Sequence, residues 1–91
     1  MSEAAMEQQC RRYVSKLGLI SIKLYGGVAG DPDRVVLLPN GRCLLVEFKM
    51  PDGRLSPRQV YRHTELEGIG HRVAVVYSTQ QFKALLDSIL G

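Results

Sequence analysis

Residues 30–49 read Gly-Asp-Pro-Asp-Arg-Val-Val-Leu-Leu-Pro-Asn-Gly-Arg-Cys-Leu-Leu-Val-Glu-Phe-Lys. The pattern predicts two apolar strands, Asp33–Leu38 and Cys43–Lys49, joined by a tight turn. Asp33 stands at the mouth of the first strand, and Glu47 and Lys49 close the second. Buried charge is costly without a partner, so a strand that is otherwise Cys-Leu-Leu-Val ends in two charges only where their position matters. Strand side chains alternate, which puts Glu47 and Lys49 on one face and Val46 and Phe48 on the other. Asn40-Gly41 signals a hairpin, and a two-residue loop there would set Asp33 opposite Phe48, away from Glu47. An odd loop of three residues, or a bulge, brings Asp33 to the side of Glu47. We expect the odd register.

Upstream, Met6, Cys10, Tyr13, Val14 and Leu17 recur at helical spacing over residues 4–17, and Gly18 is a natural stop. Glu7 lies on the flank of that buried stripe, where a boundary glutamate near the helix N-terminus is a sufficient account. Leu19–Tyr25 alternates as a strand. The loop Gly26-Gly27-Val28-Ala29-Gly30 lacks a Gly-Lys-Ser/Thr ending and precedes no helix pattern, which excludes a nucleotide-phosphate loop. Downstream, Met50–Leu55 reads as a loop. Ser56-Pro57-Arg58-Gln59 then opens a helix that runs to about Glu67, with a capping box that by itself explains Gln59. Arg72–Tyr77 is a short strand, and Ser78-x-x-Gln81 starts a last amphipathic helix. The order is therefore α-β-β-β-α-β-α. The third strand, second helix and fourth strand form a crossover that makes those two strands parallel. This is an α/β fold, a small mixed sheet flanked by helices.

Ninety-one residues are enough for one domain over 1–91, with one modest core. A hydrophobic share of 45% with mixed charges fits a soluble globular chain, and no run is long enough to span a bilayer. Glu3 and Glu7 and the lack of a long apolar run exclude a secretory signal, so a cytoplasmic location is expected, the host cytoplasm if the gene is a phage's. Cys10 and Cys43 have no C-x-x-C spacing and read as buried reduced thiols. A net charge of +3 is compatible with a polyanionic partner.

Carboxylate oxygens are hard ligands suited to Mg²⁺ or Mn²⁺. Asp33, Glu47 and the backbone carbonyl of Phe48 form a candidate set, with Lys49 beside them to orient a water or steady charge on a phosphate. The same residue types also read as a cross-strand salt bridge among Asp33, Lys49 and Arg34, worth roughly 0.2–1 kcal/mol. From the residues alone both readings stand.

Pro-Asp followed, after a strand and turn, by Glu-x-Lys resembles the PD-(D/E)XK nuclease superfamily with its restriction-endonuclease-like fold. The resemblance is closer to the virus-type replication-repair nuclease family, VRR-NUC. It is carried by Gly30-Asp31-Pro32-Asp33-Arg34, Val46-Glu47-Phe48-Lys49, Asp52-Gly53 and Gln59, and it extends from Glu7 to about Ser78. The resemblance implies that Asp33 and Glu47 bind metal, that Lys49 is the catalytic lysine, and that Gln59 is an active-site glutamine. It implies that Glu7 completes the acidic cluster and that Lys23 on the first strand contacts substrate. Asp31 departs from the family, which commonly has an apolar residue there. Domains of this kind without appended modules resemble homodimeric, phage-type enzymes that cut branched DNA, Holliday junctions included. Lys23, Arg34, Arg54, Arg58, Arg62 and His63 then become expected phosphate contacts, which fix position without reading sequence. The expectation is a Mg²⁺-dependent endodeoxyribonuclease. A non-catalytic DNA-binding module of the same fold and an RNA-directed nuclease are the alternatives.

Overall fold

Four strands and three helices follow one another in the expected order in the computed structural model, which describes residues 1–91. They are α1 (Glu3–Lys16), β1 (Ile20–Lys23), β2 (Arg34–Leu37), β3 (Cys43–Phe48), α2 (Pro57–Gly68), β4 (Val73–Val76) and α3 (Thr79–Leu90). The sheet order is β1-β2-β3-β4, antiparallel across the first two pairings and parallel between β3 and β4, as the crossover requires. The strands are shorter than their apolar runs, so Asp33 and Lys49 stand just outside β2 and β3 rather than within them.

The decisive register is the odd one. β2 pairs with β3 as Arg34 with Val46 and Leu37 with Cys43, and the Leu38 N–H reaches the Arg42 carbonyl at 2.8 Å. Three residues, Pro39-Asn40-Gly41, therefore make the turn. Asn40 and Gly41 take φ of 64° and 73°, a left-handed pair that asparagine and glycine tolerate best. At the other end of the pairing the Asp33 N–H donates to the Val46 carbonyl at 2.9 Å, one residue out of step with the ladder. The two strands part there.

Alternation turns Leu44, Val46 and Phe48 of β3 to one face, where α1 and α3 cover them. Met6, Cys10 and Val14 of α1 and Phe82 and Leu86 of α3 complete the core with Val36 and Val76. Each such side chain contributes about 1.5–3 kcal/mol by leaving water. Both cysteines are free; burial pushes the Cys10 thiol up to about 11 and keeps it an inert thiol. No helix is long and apolar enough to cross a membrane.

The other face carries α2, which is tied down at its first turns. Ser56 Oγ accepts the Gln59 N–H at 3.1 Å while Gln59 Oε1 accepts the Ser56 N–H at 2.9 Å, the reciprocal cap expected from the sequence. Arg62 Nε pairs with Asp31 Oδ1 at 2.7 Å, which pins the loop before Asp33 onto the helix. Beyond the reach of α2, Ile20, Ile22 and Leu37 stay 61%, 48% and 39% exposed on the β1–β2 half of the sheet.

Gly30 is the tightest point of that loop. Its φ is +93°, and an added Cβ would lie 2.5 Å from the Arg58 carbonyl oxygen, a backbone atom that cannot swing aside. Gly30→Ala is expected to cost about 3 kcal/mol through combined strain and clash. A urea denaturation series measures it, and a loss under about 1 kcal/mol would show that the loop does not need this contact.

Candidate active site

Asp33, Glu47 and Lys49 meet at the end of the sheet where β2 and β3 separate. Asp33 Oδ2 accepts the Phe48 N–H at 2.8 Å, a bond that replaces the missing rung of the ladder and fixes the carboxylate between the strands. Glu47 follows from β3 with 3% of its surface exposed. The two carboxyl groups are within hydrogen-bonding reach of each other. Burial first, and then Asp33 beside it, push the Glu47 carboxyl up to about 8, against a smaller opposing pull from Lys49. The dry surroundings of Glu47 favour its neutral form, and positive charge brought against it would favour the carboxylate instead. Lys49 is half-buried, anchored by its backbone N–H to the Val76 carbonyl at 2.9 Å, and near enough to act on Glu47 electrostatically.

The donor set suits a hard divalent cation. Two carboxylates with room for water and a phosphate oxygen are what Mg²⁺ commonly takes. No group of three or more Asp, Glu, His or Cys side chains closes into a ligand cage.

His63 of α2 lies under this pair, 6% exposed, with Nε2 3.3 Å from Glu47 Oε1. Burial lowers its pKa, which favours the neutral ring. The expectation that His63 contacts phosphate is corrected here: four residues after Gln59 on a helix, it faces the sheet, not solvent. That spacing was the available signal.

Glu7, Lys23 and Arg34 form a separate cluster. Glu7 Oε2 accepts from Lys23 Nζ and from Arg34 Nε, both at 2.7 Å, and Arg34 also reaches Ser21 Oγ at 3.3 Å. The Arg34 and Glu7 side chains are only 11% and 13% exposed, so this is a nearly buried ion pair between α1 and the sheet. Lys23 and Arg34 thus spend their charge on Glu7. Glu7 is not gathered with Asp33 and Glu47. The α1 carboxylate whose charge reaches Glu47 is Glu3, which also accepts the Met50 N–H at 3.3 Å. Glu3 was legible in principle, since Glu3, Met6 and Cys10 fall on one helical stripe.

Of the remaining cations, Arg62 is taken by Asp31 and by Glu65, the latter at 3.4 Å. The departure at Asp31 therefore adds a loop anchor whose charge is met by Arg62. Arg54 and Arg58 stay exposed, and neither makes a side-chain ion pair. Gln59 is half-buried with its carbonyl oxygen spent on the cap, which leaves its amide N–H₂ for another acceptor.

Comparison with known proteins places this arrangement. A VRR-NUC domain matches residues 2–80. The chain is similar to p44 of Acyrthosiphon pisum secondary endosymbiont phage 1, a protein named as a nuclease, with 35% identity over 88 residues that cover 96% of this chain and 94% of p44. It is also similar to a solved VRR_NUC domain, with a TM-score of 0.84, 31% identity, and 93% and 94% of the two chains covered. The motif residues quoted from the sequence, the fold and these matches agree: the chain belongs to the VRR-NUC family of nuclease domains.

Proposed function

We propose that this protein is a Mg²⁺-dependent endonuclease that hydrolyses phosphodiester bonds in branched DNA, Holliday junctions included, as a homodimer. The observation that carries the reading is the Asp33–Glu47 pair, two carboxyl groups held together at the splayed strand ends with Lys49 beside them. Asp33, Glu47 and the Phe48 carbonyl would hold the cation, with Glu3 as the α1 acid nearby. When bound, the cation supplies neutralising charge at the phosphodiester and makes water easier to deprotonate. Lys49 donates to charge that builds on the phosphate oxygens, the kind of stabilisation that is strong in a dry site. Gln59, through its free amide, orients the attacking water or a phosphate oxygen. The exposed Arg58 and Arg54 supply phosphate contacts, while Lys23, with a third of its side chain exposed, contributes whatever its pairing with Glu7 leaves over.

Two copies suit cleavage of two strands, because one chain brings one carboxylate pair and a two-fold dimer presents two. The apolar patch of Ile20, Ile22 and Leu37 supports such an association. Two free thiols and a DNA substrate suit a cytoplasmic setting.

On an immobile four-way DNA junction with Mg²⁺ or Mn²⁺, the wild-type chain is expected to nick the strands. Lys49→Ala should lower the rate by about 10²–10³-fold, and Glu47→Ala should abolish it, with thermal unfolding still cooperative. If wild type binds the junction and never cuts it with either metal, the non-catalytic module is the correct reading. An RNA version of the junction, cut equally well, would move the substrate class away from DNA.

Proton linkage gives a second test. The Glu47 pKa is higher folded than unfolded, so its contribution to stability is fully present below about 4.5 and is lost as pH rises through about 8. The metal-free Tm of Glu47→Gln should therefore gain on wild type as pH rises from 5 to 9, by about 5 °C or more. Mg²⁺ should raise the wild-type Tm more at pH 8 than at pH 5. A difference between the two proteins that stays flat with pH would contradict the crowded carboxylate pair.

A further inference from the structure

Glu47 is the most buried acid of the chain, and a carboxylate with so little solvent has no water to fix its orientation. One side chain from outside the sheet reaches it. His63 Nε2 lies 3.3 Å from Glu47 Oε1, and both residues are buried. With a cation against it Glu47 is ionised and its oxygen only accepts, so in that state the imidazole donates from Nε2. That use of the ring leaves it no part in contacting DNA.

The histidine arrives on a helix whose position is set independently of the metal centre. The Ser56–Gln59 cap fixes the first turn of α2, Gly30 packs against the Arg58 carbonyl, and Asp31 holds Arg62, the residue before His63. The same anchors hold the loop that leads into Asp33. The loop before Asp33, and the Glu47 carboxylate through His63, are thus both referred to α2, while β3 carries the Glu47 backbone and ends beside Lys49.

Resting on the metal-dependent reading above, we infer that His63 is a positioning residue for the metal centre. Its Nε2–H holds Glu47 Oε1, so that the carboxylate meets a divalent cation in a single orientation. A ligand fixed in this way loses less freedom on binding, and removing such a support commonly weakens metal affinity about 10–100-fold.

The test is a calorimetric Mn²⁺ titration of the full chain without DNA, with thermal unfolding as a check on each protein. His63→Leu should weaken Mn²⁺ binding about 10–100-fold while the fold persists, since leucine fills the buried site without a donor. His63→Gln, whose amide nitrogen reaches to the place of Nε2, should recover most of that loss. His63→Asn, whose amide reaches only to the place of Nδ1, should not. Should the leucine variant fail to fold, the Gln and Asn variants decide. Equal Mn²⁺ affinity in wild type and His63→Leu, or in the Gln and Asn variants, overturns the role of His63 and leaves the metal centre standing. A wild-type chain that takes up no Mn²⁺ removes the metal centre, and this inference with it.

Discussion

Glu47 is held beside Asp33 in dry surroundings that favour its neutral form until positive charge is brought to it. This crowding organises the rest of the fold. A buried carboxylate beside another is unfavourable by several kcal/mol in general, and a fold keeps such a pair only if its surroundings over-determine the geometry. Here the determinants are simple. A three-residue turn sets the register, a backbone N–H of Phe48 takes Asp33, and the parallel ladder with β4 holds Lys49 at the end of β3. The apolar layer behind them, Val46 and Phe48 against α1 and α3, is what keeps Glu47 turned to the other face.

The hairpin was legible because side-chain period and loop length leave few choices. Asn40-Gly41 suggested the shorter turn, and the need to bring Asp33 toward Glu47 argued for one more residue. The chain adopts that longer turn, and Asn40 and Gly41 both serve it in the left-handed conformation. The helix starts and the crossover were legible for the same reason: Ser56-Pro57 and Ser78 are local signals, and local signals survive without a structure. The α/β architecture followed from them. The second helix, however, runs through Gly68, expected to end it, and the left-handed glycine beyond it is Gly70.

The ion pairs were not legible. Glu7 is 16 residues from Lys23 and 27 from Arg34, and Asp31 is 31 from Arg62. Each cation had been read as a phosphate contact because its partner lay on another element. His63 went the same way: counted with the surface charges, it proved to face inward under Glu47. A count of basic residues near a cleft therefore overstates what is free to meet DNA. Once the internal pairs are removed, Arg54 and Arg58 remain of the cations so counted, and the mild net charge of +3 leaves the long-range field modest.

The pairing of Glu7 with Arg34 has a mechanical consequence. Arg34 is covalently next to Asp33, so the first helix holds the neighbour of the carboxylate pair like a guy-rope. Truncating Glu7 would leave a guanidinium stranded in a dry seam, and the relaxation that follows would be passed directly along the chain to Asp33. On the proposed metal-dependent reading, Glu7 therefore serves the site through that tether, with no need to touch the cation.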